Sequence, residues 1–328
     1  MKLLVTGATG FIGQHVVRCA TEAGHQVTCL VRGTSSTGPL AAWSPTLATG
    51  DITDAASLAA VRGQDAVIHL ASLLKMPWDR RFHRVNAEGT GNVARACAEA
   101  PTPPALVVVS SLAAAGPSGA NPRTESEIPA PVSIYGRVKR GAEEAALAYA
   151  DRAPITVVRP PGVFGEGDRA VLGLFRTAAR GFHVVPGWRD RRMCLVHVDD
   201  LARALLAAAE RGARADGTVG GGVYHVADPE AVLYADLGRR VGRLFGRRVR
   251  VLRLPLALLW LGAAGNEALG RLRQRPAFLN LDKYREATAG DWTCDPRRAM
   301  ADLGFAPPPL DERLAQTAAD YQRRGWLT

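Results

Sequence analysis

Tyr135 and Lys139, in the stretch "SIYGRVKR", stand four residues apart. On a helix that spacing puts two side chains on one face, a turn apart. Free tyrosine ionises near pH ~10, too high for a base at neutral pH, but a neighbouring ammonium favours the phenolate and lowers that value. Such a pair could carry a proton to or from a substrate oxygen. The spacing alone is weak evidence, because Tyr-x-x-x-Lys arises often by chance, and two amphipathic side chains lying along a wet surface look the same.

A second motif stands at the start of the chain. Thr6-Gly7-Ala8-Thr9-Gly10-Phe11-Ile12-Gly13 follows the short apolar run "KLLV" and opens the helical pattern "FIGQHVVRCATEAG". Gly7 suits a tight turn, Gly10 lets backbone amides approach a pyrophosphate, and Gly13 permits close helix–strand packing. The spacing is G-x-x-G-x-x-G, and its place between strand and helix is where a dinucleotide site needs it.

The elements that must hold these residues follow from pattern. Apolar runs "HQVTCLV", "DAVIHLA", "ALVVVSS", "PITVVRP" and "GVYHVAD" alternate with helical stretches such as "RFHRVNAEGTGNVARACAEA" and "IYGRVKRGAEEAALAYA". Continuous apolar strands between amphipathic helices imply an α/β fold whose parallel sheet is covered on both faces. "GTVGGGV" at 217–223 reads as a loop entering a strand. A chain of 328 residues, 47% hydrophobic, has the length for one large or two coupled domains. The N-terminus turns to glycine before an apolar stretch of signal-peptide length can build. Cys19, Cys29, Cys97, Cys194 and Cys294 show no C-x-x-C spacing, which argues against zinc and disulfides and for a reduced, cytoplasmic protein. The net charge of +10 comes almost wholly from arginine, only Lys2, Lys75, Lys139 and Lys283 being lysines. Its densest cluster, "RRVGRLFGRRVR" at 239–250, reads as a solvated helix face followed by a strand, so no nucleic-acid partner is expected.

Taken together, the glycine turn and Tyr-x-x-x-Lys resemble the short-chain dehydrogenase/reductase superfamily in its extended form, the NAD-dependent epimerase/dehydratase group. The resemblance runs in order through "GDITD" (Gly50 to Asp54), "HLAS" (His69 to Ser72), "VNAEGTGNV" (Val85 to Val93), "RPPGVFGEGD" (Arg159 to Asp168), "LVHVDDLARA" (Leu195 to Ala204) and "CDPRRAMADLGFAP". It implies a Rossmann-like, doubly wound parallel sheet over 1–160 and 195–227. A smaller, mostly helical substrate lobe would take 161–194 and 228–328.

The resemblance also assigns roles. Ser111, 24 residues before Tyr135 in "VVVSSLAAAG", matches the family's serine, preferred to Ser110 because it stands five before Gly116. It would hydrogen-bond the substrate oxygen while Tyr135 exchanges the proton and Lys139 holds the nicotinamide ribose. Asn86 matches a helix asparagine that supports a proton relay, although buried polar packing explains it as well. Cofactor contacts fall to Gly7, Thr9, Gly10, Phe11, Ile12, Gly13, Asp51, Ile52, Leu70, Ala71, Ser72, Tyr135, Lys139, Pro160 and Val163. Where NAD-preferring members place an acid after the second strand, this chain has Val31 and then Arg32. Arg32, with Ser35 and Ser36, suits a 2′-phosphate, so NADP(H) is favoured over NAD(H). His197, Asp199 and Asp200 are expected to cap a helix, and no metal is expected.

Two departures bear on the substrate. "SSLAAAGPSG" is closer to the 3β-hydroxysteroid dehydrogenase and dihydroflavonol reductase branch than to sugar epimerases, and Leu112-Ala113 replaces the Asp-Glu pair of a dehydratase. "LPLALLWLGAAG", 254–265, is shorter than the ~20 residues of a membrane span. It reads either as a buried helix over the substrate pocket or as a peripheral membrane contact flanked by arginines. The expected activity is therefore an NAD(P)-dependent oxidoreductase acting between a secondary alcohol and a ketone of a hydrophobic, steroid-, lipid- or flavonol-like substrate. The alternatives are a nucleotide-sugar epimerase, whose diphosphate Arg189, Arg191 and Arg192 could bind, and a non-catalytic cofactor-binding regulator. The resemblance also implies a homodimer.

Overall fold

The computed structural model describes residues 1–73, 80–273 and 279–327. Seven strands form one sheet: β1 (Lys2–Thr6), β2 (Gln26–Val31), β3 (Thr46–Thr49), β4 (Ala66–His69), β5 (Ala105–Val109), β6 (Ile155–Arg159) and β7 (Val223–His225). Their order is β7-β6-β5-β4-β1-β2-β3, and every pair is parallel. This is the parallel α/β sheet that the apolar runs implied, in the Rossmann-like form that the family resemblance implied. The strand missed by pattern is β3: "TLAT" is short and mostly exposed on the sheet edge, so it needs no apolar run.

Alternation along β1 divides the core in two, because successive side chains point to opposite faces. Leu3 and Val5 join Val16, Val17, Leu201 and Leu205 on the side of helices α1 (Phe11–Glu22) and α4 (Val198–Arg211). Leu4, with Val67, Leu106 and Val108, meets Val93, Ala94 and Ala146 on the side of α2 (Gly89–Ala98) and α3 (Ile134–Leu147). A third apolar cluster, including Phe164, Phe175, Leu237, Leu314 and Tyr321, is built largely from the C-terminal helices. There α5 (Leu256–Leu272) and α6 (Leu281–Thr288) follow a strand at Arg250–Leu254.

The arginine cluster at 239–250 takes the form expected of it, a helix at Tyr234–Leu244 and then that strand. Its guanidinium groups face acids on the surface, Arg239 with Asp236 at 2.5 Å and Arg240 with Asp311 at 3.4 Å. "GTVGGGV" enters β7 from a turn. Among the described residues no helix is long and apolar enough to cross a membrane.

One buried ion pair fastens α3 to the sheet. Arg159, at the end of β6, donates from Nε and Nη2 to the two oxygens of Glu143 at 2.8 and 2.7 Å. Ser110 donates to Oε1 at 2.5 Å and Arg140 to Oε2 at 3.1 Å. Arg159 and Glu143 are 2% and 0% exposed, and despite that burial the Arg159 contact holds the Glu143 carboxyl below its usual value. Removing one member strands the other charge away from water. Glu143→Leu should therefore lose about 3–5 kcal/mol of stability in denaturant unfolding.

Candidate active site

The glycine turn joins β1 to α1. Gly7 adopts φ +71°, and a Cβ there would lie 2.6 Å from the Ala71 nitrogen. At Gly13 a Cβ would lie 2.2 Å from the Gly7 carbonyl oxygen, so only glycine lets the helix start this close to the strand. Gly10 is the N-cap and makes no side-chain cap, and the first turn of α1 holds no acidic residue. Its N–H groups and dipole are thus available to an anion, and the turn fits a dinucleotide pyrophosphate.

The neighbouring strand ends are tied to this turn. Thr6 Oγ1 lies 2.7 Å from His69 Nδ1 and accepts from the Ala71 amide at 3.3 Å. His69 Nε2 lies 3.0 Å from the Thr90 hydroxyl, which donates to the Asn86 carbonyl at 2.6 Å. Burial drives the His69 pKa down to about 3, so this imidazole stays neutral. Asn86, in the π-helical turn Arg84–Glu88, donates to the Leu73 and Phe82 carbonyls at 3.1 and 2.8 Å. It also accepts from Ser72 Oγ at 2.7 Å and the Leu73 amide at 3.0 Å. Those bonds describe the packing alternative: Asn86 fixes the loop after β4 that carries Leu70, Ala71 and Ser72.

Between β3 and β4, Asp51 accepts from the Thr53 backbone and hydroxyl, both at 2.8 Å. These bonds, and then the charges of Arg32 and Arg84, hold its pKa below the usual carboxylate value. Arg32 is exposed just past β2, and its amide bonds Ser35 Oγ at 3.2 Å. Arg84, which sequence reasoning passed over, reaches Thr53 Oγ1 at 3.4 Å.

Tyr135 and Lys139 lie on α3, as their spacing implied. Lys139 is buried and donates from Nζ to the Val109 carbonyl at 2.7 Å, at the end of β5. Burial lowers its pKa to about 8, with Glu143 acting the other way. Tyr135 is partly exposed. Burial of the phenol pushes its pKa up to about 12, opposed by the Ser111 hydroxyl and assisted by the charge of Glu286. Ser111 caps the short helix Leu112–Ala115, taking the Ala113 amide at 3.2 Å. Ser110 is committed to Glu143, which leaves Ser111 as the serine facing the phenol. Pro160 accepts from the Leu112 amide at 2.8 Å, so the segment carrying Val163 is stitched to the same corner.

His197 caps α4 as expected, with Nδ1 accepting from the Asp199 amide at 3.3 Å. Asp199 meets His15 Nδ1 at 2.5 Å and Arg18, while Asp200 accepts from Arg313 Nε at 2.8 Å. Glu166 joins them in space, its carboxylate 3.0 Å from His197 Nε2. His15 thereby ties α1 to the C-terminal half, a contact with no signal in the spacing of the histidines. With its Oδ1 shared by His15 and Arg18, Asp199 serves as an anchor.

Residues 3–227 match the model of the NAD dependent epimerase/dehydratase family. The chain belongs to that family. Among its similar relatives is a ceramide reductase of Caulobacter vibrioides, 32% identical over 98% of this chain and 95% of that protein. A 3 beta-hydroxysteroid dehydrogenase/Delta 5→4-isomerase of Mycobacterium tuberculosis is 29% identical over 75% of this chain and 70% of that protein. The solved structure of MoeE5 in complex with UDP-glucose and NAD superposes with a TM-score of 0.73 at 26% identity, covering 99% of each chain. This family member of the extended short-chain dehydrogenase/reductase superfamily is accordingly an NAD-dependent enzyme of the oxidoreductase and epimerase kind.

The shifted titrations make a stability prediction. Lys139 surrenders its proton more readily folded than unfolded, so the unfolded chain binds more protons between about pH 8 and the ordinary 10.5. Stability from this group is lost below pH 8 and recovered as pH rises through that window. Tyr135 acts oppositely, above pH ~10. The melting-temperature gap between wild type and Lys139→Met should therefore move in favour of the wild type from pH 8 to 10.

Proposed function

We propose that this family member interconverts a ketone and a secondary alcohol on a hydrophobic, ceramide-like lipid, using NADP(H) in preference to NAD(H). The arrangement of Tyr135, Lys139 and Ser111 carries the reading: a phenol beside a serine hydroxyl, with a buried lysine one turn on. Residues 1–160 with 195–227 hold the cofactor, and the remainder forms the substrate lobe. Bound nicotinamide supplies or accepts the hydride. Burial keeps the Tyr135 phenol neutral, the form that donates a proton to a ketone oxygen during reduction. Ser111 hydrogen-bonds that oxygen and fixes its direction. Lys139, held by Val109, orients toward the nicotinamide ribose and favours the phenolate in the reverse reaction.

The lipid assignment is supported by the surface as well as by the ceramide-reductase relative. Only Ala263, Glu267 and Gly270 of α5 are buried. Its Leu258, Trp260, Leu261 and Leu272 are 55, 47, 59 and 83% exposed, beside Leu252 and Trp188 at 50 and 73%. An apolar face of this kind among arginines fits a peripheral contact with an anionic lipid surface. Of the cations considered for a sugar diphosphate, Arg191 is occupied by the Pro186 and Thr288 carbonyls.

Purified protein should oxidise NADPH when offered 3-keto lipid amides, followed at the NADPH absorbance band. Tyr135→Phe should cut kcat by about 10²–10⁴-fold with cofactor affinity unchanged. Conversion of a UDP-sugar to its epimer, with no ketone reduced, would overturn the reading in favour of an epimerase. Arg32→Ala should raise the KM for NADPH by about tenfold and leave that for NADH within about twofold.

Vesicles of anionic phospholipid should sediment the wild-type protein and blue-shift its tryptophan emission. A Trp260→Glu, Leu261→Glu double variant should stay in the supernatant, because each charge on the apolar face opposes insertion.

A further inference from the structure

The helix carrying Tyr135 starts without an acid of its own in its first turn. Its N–H groups find one 147 residues away in sequence. Asp282, on α6, takes the Tyr135 amide at 3.0 Å and the Ile134 amide at 2.6 Å, one on each oxygen. Ser133, the N-cap, accepts from the Gly136 amide at 2.8 Å and donates its hydroxyl to Glu286 Oε1 at 2.7 Å. The other Glu286 oxygen holds Lys283 Nζ at 2.6 Å, and that ammonium stands 5.3 Å from the centre of the Tyr135 ring. Three polar side chains of one short helix, Asp282, Glu286 and Lys283, thus address the backbone, the cap and the ring of a single tyrosine.

Helix α6 is itself fixed from several sides. Asn280 caps it through the Lys283 amide at 2.8 Å, and Glu267 of α5 accepts from the Leu281 amide at 3.0 Å. Asn266 donates to the Leu279 carbonyl at 2.7 Å, and Trp292 donates to the Glu286 carbonyl at 2.9 Å. Asp282 is 5% exposed, so its two bonds are made away from water and carry the full advantage of a carboxylate at a helix N-terminus.

We propose that Asp282 and Glu286 are positioning residues for the reaction, α6 being a clamp that sets where the Tyr135 hydroxyl lies and how readily it gives up its proton. The inference rests on the reading of Tyr135 as the proton carrier. Asp282 acts through the backbone, since displacing the first turn of α3 displaces the phenol against Ser111. Glu286 acts through charge. The charged and titratable groups around the phenol are Lys139 on its own helix and Asp282, Lys283 and Glu286 on α6, with the Ser111 hydroxyl opposite. Of these, the Glu286 charge pushes the phenol toward its protonated form, which suits donation to a ketone.

The test follows Tyr135 directly in the full chain saturated with oxidised cofactor. The ultraviolet tyrosinate signal of wild type minus Tyr135→Phe is read against pH, with circular dichroism checking the fold at each point. Glu286→Gln retains an acceptor for Ser133 and removes the charge, so the Tyr135 midpoint should fall by about half a pH unit or more. Asp282→Asn deprives one of the two amides of its carboxylate oxygen. Its kcat should fall about tenfold, with KM and cofactor affinity within about twofold and melting temperature near wild type. An unmoved midpoint in Glu286→Gln, or a loss of kcat in Asp282→Asn that only tracks loss of fold or cofactor, would overturn the clamp. Absence of ketone turnover by the wild type would overturn the reading of the reaction instead, and the Tyr135 titration would still decide the clamp.

Discussion

Between the sheet and α3, a guanidinium and a carboxylate sit together out of water, and neither can be exposed without separating the two. Arg159 ends β6, Glu143 lies one turn beyond Lys139, and Ser110 ends β5. The Arg159–Glu143 pair therefore fixes the rotation of α3 about its own axis as well as its distance from the strands. Lys139 then meets the Val109 carbonyl, and the next residue up that face, Tyr135, is delivered beside Ser111. Because Ser110 is held by Glu143, Ser111 must turn the other way. The serine–tyrosine–lysine arrangement thus depends on where one buried charge pair lies, together with the hold of Asp282 on the first turn of α3.

Such a pair contributes little net stability compared with a well-packed apolar replacement. What it supplies here is orientation. Apolar residues at both 143 and 159 would fill the space but would not distinguish one rotation of the helix from another. The same logic applies to Asn86 and to the Thr6–His69–Thr90 chain, where buried polar groups with few ways to be satisfied hold the strand ends and the loop after β4 in one register.

Much of this was legible in the sequence, and the boundary is physical. Six of the seven strands announce themselves because a parallel strand covered on both faces carries a continuous apolar run, as Leu3, Leu4 and Val5 of β1 and Val157 and Val158 of β6 do. The seventh, Thr46–Thr49, lies on the edge and has no such obligation. The glycine turn between β1 and α1, and the placing of Tyr135 and Lys139 on one helix, were readable from spacing. Asp282 and Glu286 were not, because a carboxylate that serves a helix 147 residues away leaves no periodic trace. The segment 254–265 was ambiguous for another reason: an apolar helix facing a pocket and one facing a lipid surface have the same composition, and composition does not tell that Trp260 and Leu261 are exposed.

The match to the family ends at residue 227, whereas Asp282 and Glu286 lie well beyond it. Inherited chemistry and individual specificity are thus joined through hydrogen bonds to backbone and cap, which ask nothing of the identity of the tyrosine's neighbours. A lineage could rebuild the substrate lobe, change its ligand and retune the proton carrier in one stroke, while the signature that names the family stayed untouched. Tyr135 thus lies inside the matched stretch by sequence and takes its first-turn hydrogen bonds from outside it.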